Sequence, residues 1–290
     1  MISAVVSYVN CEDPQWLESY KSHVGNFDQT FGNSISRFRD KGTFKLCLDS
    51  IKKFAPYIND VFIIVSSPSQ IPDWLDTKKY HIIYHSDFIP KEYLPLFSSC
   101  ALETWFGALP DKIGERFIYF NDDMILTSPT NELTFFDKLW NPTIGINIWN
   151  TDSVIRHVDH IRTNCYNLVM NTHVLREVNV QHGPAPYRLS WCKEFFNIYK
   201  DKLLKIYNPL TRDENSISQY AYMFYQMMYH NIINNPIPGK SFYGIKKYSK
   251  LISNELPLND YVWICLNDTD LFDITPVITN INDYIQNYQV

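Results

Sequence analysis

The sequence predicts an α/β fold: a mainly parallel sheet flanked by helices, with a helical C-terminal lobe. In the first half of the chain, short apolar segments alternate with segments whose apolar residues recur at helical spacing. From about residue 150 onward helical spacing dominates, and no clear strand alternation is seen. We therefore expect one domain over residues 1–290, in which residues 1–150 form the sheet and residues 151–290 a more helical part.

In the first half of the chain, four segments are predicted as strands, because they are short, apolar and rich in β-branched and aromatic residues. They comprise residues 2–9, 61–66, 81–84 and 117–120. In a parallel sheet of this kind, ligands bind in the crevice beyond the carboxyl ends of the strands. The loop that follows the first strand and the loop that follows the fourth are therefore the places to search for a site.

Helices are predicted between these strands. Phe44, Leu48 and Ile51 fall at helical spacing behind Thr43, a candidate N-cap, and residues 101–109 repeat the pattern behind Ser98 or Ser99. Further along, residues 217–233 form an aromatic segment with helical character. This order of strands and helices is typical of βαβ units.

Composition excludes several classes of protein. A net charge of −5 argues against broad nucleic-acid binding, and the longest apolar runs are too short for a membrane span. The first residues indicate a strand and not a signal peptide, and six widely spaced cysteines indicate reduced thiols, so we expect a cytoplasmic protein. The signatures of serine hydrolases, P-loop enzymes, zinc proteases and dinucleotide dehydrogenases do not occur in the sequence.

Two acidic segments follow predicted strands. Asn121, Asp122 and Asp123 come directly after the fourth strand, and Asp268 ends a later segment, Leu266-Asn267-Asp268. Adjacent carboxylates at a strand end suit a hard divalent cation, which prefers oxygen ligands and can bridge to phosphate. The alternative is an ordinary polar turn, since Asn and Asp are common turn residues.

Basic side chains are the second kind of candidate. Arg37 and Arg39 precede a predicted helix, His182 lies in a loop beside Pro184, and Arg212 precedes the aromatic segment. Arginine forks match phosphate oxygens, and histidine can hold a phosphate or move a proton near neutral pH. A surface salt bridge, a structural histidine and a charged first helical turn are the respective alternatives.

In chain order, these segments resemble the four blocks of the Stealth family of sugar-1-phosphate transferases. The longest correspondence, with the second block, runs from Ser36-Arg37-Phe38-Arg39-Asp40 to Asn121-Asp122-Asp123. Residues 7–14 resemble the first block, His182-Gly183-Pro184 the third, and Arg212-Asp213-Glu214 with residues 264–268 the fourth. Cys11 stands where the family has a glycine, and Tyr8 where it has a tryptophan.

The resemblance implies a glycosyltransferase-A-like fold, a UDP-sugar donor and Mg²⁺, with Mn²⁺ as the alternative. The implied acceptor is a hydroxyl of a glycan or a lipid-linked oligosaccharide, which attacks the β-phosphorus and releases UMP. Residues 1–290 would form a single catalytic domain. Within it, residues 1–150 would bind the nucleotide sugar, and residues 151–290 would complete the active site. A lipid-linked acceptor would place the cytoplasmic enzyme at the inner face of the membrane.

The resemblance also implies residue roles, with Asp122, Asp123, His182 and Arg212 as the catalytic group. Asp122 and Asp123, together with Asp268, would hold the metal ion. Arg39, His182 and Arg212 would surround the diphosphate, while Asn10 and Asp13 would lie near the nucleotide and Ser99 and Glu103 would orient the sugar. Whether an aspartate or His182 takes the acceptor proton stays open.

Two other hypotheses fit the same sequence. A metal-dependent glycosyltransferase that moves the sugar alone would share the fold, the donor and the acidic strand end. A catalytically silent glycan-binding protein would bind the same ligands and release no UMP. The expected combination of His182 and Arg212 favours the phosphotransferase, because such groups suit a phosphoryl electrophile.

Overall fold

A computed structural model describes residues 1–28, 32–150, 157–172, 176–242, 245–253 and 257–289. The strands are β1 (Ser3–Ser7), β2 (Asp60–Val65), β3 (His81–Tyr84), β4 (Arg116–Asn121), β5 (Met124–Leu126), β6 (Ile146–Asn150), β7 (Arg176–Val180), β8 (Ala185–Arg188), β9 (Gly239–Phe242) and β10 (Trp263–Leu266). The helices are α1 (Pro14–His23), α2 (Thr43–Phe54), α3 (Ser99–Thr104), α4 (Glu132–Phe135), α5 (His157–Met170), α6 (Leu189–Lys205), α7 (Tyr220–Tyr229), α8 (Ile245–Ile252) and α9 (Thr275–Asn287).

The central sheet has the strand order β3-β2-β1-β4-β8. β1 pairs in parallel with both β2 and β4, β3 pairs in parallel with β2, and only β8 at the edge is antiparallel. The prediction of an α/β fold with a mainly parallel sheet is thus confirmed. Because the chain runs from β1 to β2 on one side and returns to β4 on the other, the strand order reverses between β1 and β4. Ligands in open α/β sheets bind at such a point.

The central sheet is covered on both faces. Val5, Ile64 and Tyr119 belong to an apolar cluster on one face, and Val6 and Ile63 belong to the cluster on the other. Parallel strands that are buried on both sides appear as continuous apolar runs, which explains why these strands have clear signals in the sequence. Helices α3, α5, α6 and α7 contribute to the first cluster, and α2, α8 and α9 to the second.

A second, three-stranded sheet has the order β5-β10-β9, and β6 pairs with β7 in a separate ribbon. Only two residues, Asp122 and Asp123, separate β4 of the central sheet from β5 of this second sheet. The amide of Leu266 at the end of β10 donates a hydrogen bond of 2.9 Å to the carbonyl of Asp123. The acidic turn is therefore the junction of the two sheets, and it is anchored from both.

Several elements differ from their predictions. Thr43 is the first residue of α2 and not its N-cap; the cap is Gly42, whose φ of 98° lies in the left-handed region open to glycine. The helix predicted at 101–109 ends at Thr104 and is followed by a separate 3₁₀ turn. The C-terminal half is rich in helices, as predicted, and it also supplies β7, β8 and β9, which the sequence pattern does not indicate, and β10, which ends at the acidic segment expected to follow a strand.

Candidate active site

A cavity of about 780 Å³ opens beyond the carboxyl ends of β1, β4 and β10. Most of the predicted site residues line it: Arg39, Ser99, Glu103, Asp122, Asp123, His182, Arg212 and Asp268. Residues from both halves of the chain therefore meet in one space. Its position at the reversal of strand order agrees with the rule for open α/β sheets.

Asp122 and Asp123 form the acidic end of the cavity. The backbone N–H of Val9 donates to the Asp122 carboxylate, and the Cys265 thiol donates to Oδ2 of Asp123 at 3.2 Å. Burial raises the pKa of Asp123 to about 6, and burial with repulsion from Asp123 and Asp40 raises the pKa of Asp122 well above its usual value. A desolvated pair of carboxylates of this kind gains from a nearby positive charge.

The oxygen atoms at this end fit a hard divalent cation. Oδ1 of Asp123 and Oδ1 of Asn121 are buried, and neither has a hydrogen-bond partner among the described residues. The described part of the chain contains no group of three or more His, Cys, Asp or Glu side chains that could hold a metal ion. Mg²⁺ commonly binds through one or two carboxylates and completes its shell with water and substrate phosphates. The carboxylates of Asp122 and Asp123 with the amide oxygen of Asn121 form a set of oxygen donors of this type.

Arginine side chains and His182 form the basic end. The guanidinium of Arg212 donates to Oγ of Ser99. Burial lowers the pKa of His182 to about 4, and the charges of Arg162, Arg212 and Arg37 contribute to the same shift. His182 is therefore a neutral imidazole at neutral pH, surrounded by three guanidinium groups. An anionic ligand here would meet several fixed positive charges.

Arg37 and Arg162 join this cluster without a role predicted from the sequence. Arg37 lines the cavity, yet burial and the charge of Arg212 lower its pKa to about 10. Arg162 projects from α5 and is 7% exposed. The sequence shows two arginines before α2, Arg37 and Arg39. No neighbouring residue indicates which of them belongs to the site. Arg162 has no local signal, because its partners are far away in the chain.

Glu103 is held in the cavity wall by the residue that precedes α7 and by a side chain of β4. Its carboxylate accepts hydrogen bonds from the Gln219 amide at 2.9 Å and from the side chain of Tyr119. Burial raises the pKa of Glu103 to about 7, although these bonds and the charge of Arg212 favour its ionised form. Glu103 thus lies beside the basic cluster and shares its polar environment.

Arg39 and Asp268 are partners of each other. The Arg39 guanidinium donates to Oδ2 of Asp268 at 2.6 Å and to Oδ1 of Asp270 at 3.0 Å. These bonds join the segment before α2 to the loop after β10, and Arg39 and Asp268 both line the cavity. The roles predicted for Arg39 at the diphosphate and Asp268 at the metal stay predictions, and each would compete with this ion pair.

Asn10 and Asp13 lie in the loop between β1 and α1, and neither is among the described residues that line the cavity. Asp13 is the N-cap of α1 and accepts from the Gln15 amide at 3.0 Å. The side chain of Gln70 donates to the Asn10 carbonyl and to Oδ2 of Asp13. These contacts tie the loop to the segment after β2. The placement of Asn10 and Asp13 near the nucleotide stays a prediction.

Gly183 allows the His182 loop to approach the second sheet. A Cβ atom at Gly183 would overlap the ring of Trp263, which is buried in β10. We expect Gly183→Ala to lower the free energy of unfolding by about 1–3 kcal/mol, because the loop or the ring must move. The same shift should displace His182. Urea unfolding tests the first effect, and an unchanged midpoint would contradict the close approach.

Comparison with known proteins finds a match for one part of this chain. Residues 37–144 match the family model described as Stealth protein CR2, conserved region 2. The chain contains a Stealth conserved region 2. This match confirms the resemblance for the second block. The residues assigned to the other three blocks lie outside the matched residues.

Full-length similarity to polysaccharide phosphotransferases agrees with that match. The chain is 26% identical over 305 residues to the exopolysaccharide phosphotransferase cps2G of Lactiplantibacillus plantarum, covering 93% of this chain and 88% of that protein. It is also 26% identical to the capsular polysaccharide phosphotransferase WcwK of Streptococcus pneumoniae, covering 94% and 90%. Both names describe enzymes, and the prediction that the chain is an enzyme is confirmed.

Among solved structures, mouse xyloside xylosyltransferase 1 in its apo form covers 94% of this chain and 100% of its own at 11% identity. The TM-score is 0.42, so the fold described above rests on the strand topology of this chain alone. Among the described residues, no helix has both the length and the apolar character needed to cross a membrane.

Proposed function

We propose that this protein transfers a sugar-1-phosphate, a hexose or N-acetylhexosamine phosphate, from a UDP-sugar to a hydroxyl of a glycan. The product would be a phosphodiester, and UMP would leave. The observation that carries the proposal is the meeting of Arg37, Arg162, Arg212 and His182 in one cavity with Asp122 and Asp123. The similarity to polysaccharide phosphotransferases supports a role in the synthesis of capsule, exopolysaccharide or another surface glycan.

The charge pattern of the cavity suits transfer of a phosphoryl group. In phosphoryl transfer, catalysis consists mainly of positioning the reactants and stabilising charge on the transferred group. Arg212 and Arg37 supply charge that does not depend on pH near neutrality, and neutral His182 supplies a ring nitrogen without adding repulsion to the cluster. In this proposal Arg212, Arg37 and His182 contact the diphosphate.

Asp122 and Asp123, with the amide oxygen of Asn121, would hold Mg²⁺ in this proposal, or Mn²⁺ in its place. A bound cation would neutralise charge on the diphosphate and on the departing UMP. The unpartnered oxygens Oδ1 of Asp123 and Oδ1 of Asn121 support that assignment. We expect chelation by EDTA to abolish UMP release and added Mg²⁺ to restore it.

The bond changes are those of a substitution at phosphorus. The oxygen of the acceptor hydroxyl forms a bond to the β-phosphorus, and the bond from that phosphorus to the bridging oxygen breaks. The electron pair of the broken bond leaves with UMP, and the hydroxyl proton passes to a base or to solvent. Because the bond between C1 of the sugar and its oxygen is untouched, the product keeps the anomeric configuration of the donor.

A donor labelled at the β-phosphorus tests the proposal. The protein is incubated with Mg²⁺, oligosaccharide fragments of bacterial exopolysaccharides and, in turn, labelled UDP-glucose, UDP-galactose and their N-acetylated counterparts. We expect the label in the glycan product, UMP as the released nucleotide and a phosphodiester signal in phosphorus NMR.

Other outcomes would identify the alternatives. Label that stays in UDP beside a glycosylated, unlabelled product would establish transfer of the sugar alone. Saturable binding of a UDP-sugar, with no nucleotide released from any of the four donors, would establish a catalytically silent binding protein. The Asp123→Asn variant serves as the control for contaminating hydrolases, because it is expected to retain the fold.

Residues 1–150 and 151–290 would act as a single catalytic domain, since each half supplies side chains to the cavity. The enzyme would work in the cytoplasm. A lipid-linked oligosaccharide acceptor would bring the enzyme to the inner face of the membrane. A soluble glycan acceptor would not require this location.

A further inference from the structure

Tyr220, the first residue of α7, contacts the one histidine of the basic cluster. Its hydroxyl lies 2.9 Å from Nδ1 of His182. Arg162 lies against the same tyrosine: its guanidinium carbon is 5.4 Å from the ring centre, and it hydrogen bonds the Tyr220 hydroxyl. Tyr220 and Arg162 are 5% and 7% exposed, so both groups are held in place. Neither residue has a role predicted from the sequence.

The direction of the hydrogen bond between Tyr220 and His182 follows from what each group can donate. A guanidinium donates and never accepts, so the Tyr220 oxygen accepts from Arg162. The proton of the Tyr220 hydroxyl then needs an acceptor. Among the described residues, Nδ1 of His182 is the acceptor within hydrogen-bond reach. Burial raises the pKa of Tyr220, so the hydroxyl keeps its proton at neutral pH.

We propose that Tyr220, oriented by Arg162, is a positioning residue that fixes His182 as the tautomer protonated at Nε2. Nδ1 accepts from Tyr220, and Nε2–H is the group that His182 offers to the cavity. His182 then acts as a hydrogen-bond donor to the oxygens of an anionic group and not as the base that takes the acceptor proton. The identity of that anionic group as the transferred phosphoryl group rests on the function proposed above.

The charges around His182 agree with this assignment. Arg162, Arg212 and Arg37 all act on the ring, and Glu103, a carboxylate beside the cluster, is bound by Gln219 and Tyr119. A general base at this position would become an imidazolium among three guanidinium groups. A neutral donor adds no charge, and it can bind an oxygen atom whose negative charge grows during the reaction.

Nitrogen NMR measures the tautomer directly. The whole protein is labelled with ¹⁵N at its histidines, and the His182 signals are identified by their loss in His182→Gln. We expect a protonated Nε2 and an unprotonated Nδ1 in the wild-type protein. In Tyr220→Phe, the loss of the hydroxyl should increase the share of the other tautomer.

Tyr222→Phe is the matched control for the NMR experiment. Tyr222 is a buried tyrosine on the same helix, and its hydroxyl donates to the carbonyl of Thr104 at 2.7 Å. We expect Tyr222→Phe to leave the His182 signals unchanged. A protonated Nδ1 in the wild-type protein would overturn the proposal.

Kinetics separate a donor from a base. The side-chain amide of glutamine can donate a hydrogen bond near the position of Nε2, but it cannot accept a proton as a base does. We expect His182→Gln to keep a turnover number at least about tenfold above that of His182→Ala. Tyr220→Phe should lower the turnover number by about tenfold with little change in KM, whereas Tyr222→Phe should not.

Equal turnover in His182→Gln and His182→Ala would overturn the donor role. A failure of the proposed function is recognised separately: if the wild-type protein released no UMP from any donor, the nitrogen NMR result would still decide the tautomer of His182.

Discussion

Replacement of Asp123 by asparagine is expected to lower the turnover number by about a thousandfold, which corresponds to about 4 kcal/mol of transition-state stabilisation. Asparagine keeps the shape of the side chain and removes its charge. The orphan oxygen of Asp123, which supports a cation site at the end of β4, would then be a weaker ligand. Donor turnover is measured by UMP release at saturating Mg²⁺.

The same substitution should stabilise the fold in the absence of a metal ion. The pKa of Asp123 is raised to about 6 by burial, from an ordinary 3.8, so its ionisation opposes folding. That cost is absent below the ordinary pKa, develops between the two values and is complete above the raised one. We therefore expect Asp123→Asn to raise the melting temperature in EDTA at about pH 7.5, and to raise it less at about pH 4.5.

Two results would argue against this account of Asp123. Full activity in Asp123→Asn would remove the carboxylate from the mechanism. A melting temperature that falls at neutral pH in EDTA would show that the charge contributes to folding, contrary to its buried position. Asp137→Asn offers a control for general effects of the substitution, since Asp137 caps an exposed turn through the amide of Leu139.

Arg212→Ala is expected to lower the turnover number by about a thousandfold and to change KM far less. An arginine that stabilises charge in the phosphoryl-transfer transition state is worth about that much. Arg212 is bound to Ser99 and lies beside Glu103 and Tyr220, so its guanidinium is held at the cavity wall before any ligand arrives. An interaction made mainly in the transition state appears in kcat.

Two further variants give the Arg212 experiment its controls. Arg212→Lys restores the charge without the planar fork, and we expect it to recover about tenfold of the loss. Arg116→Ala removes an arginine at the opposite end of β4, where its guanidinium carbon lies 4.9 Å from the ring centre of Trp140. Arg116→Ala should leave turnover unchanged. An increase in KM alone for Arg212→Ala would assign Arg212 to ground-state binding of the donor.

The sheet and the acidic end of the cavity could be predicted from the sequence because their signals are local. β1, β2 and β4 are buried on both faces, so each appears as a continuous apolar run. Asp122 and Asp123 follow such a run directly. Their position at the ligand crevice then follows from the rule that ligands bind beyond the carboxyl ends of parallel strands.

Other features could not be predicted, because they depend on contacts between distant parts of the chain. β8 has four residues, includes Pro186 and lies at the edge of the sheet, where proline is tolerated and strand signals are weak. Arg162 lies on a helix, and the residues that it joins in the cavity are far from it in sequence. The pairing of Arg39 with Asp268 joins residues more than two hundred positions apart. Residue type alone could not tell a ligand-binding arginine from a paired one.

The central position of β1 determines which part of this chain can fold alone. The matched Stealth region, residues 37–144, holds β2, β3, β4 and both carboxylates, but it lacks β1, which lies between β2 and β4. A fragment cut at those boundaries would leave unpaired edges on two buried strands, and such edges pair with other chains. We therefore expect that the stretch matching the family model does not fold on its own. Transfer of residues 37–144 to another protein as a folded module would therefore also require β1.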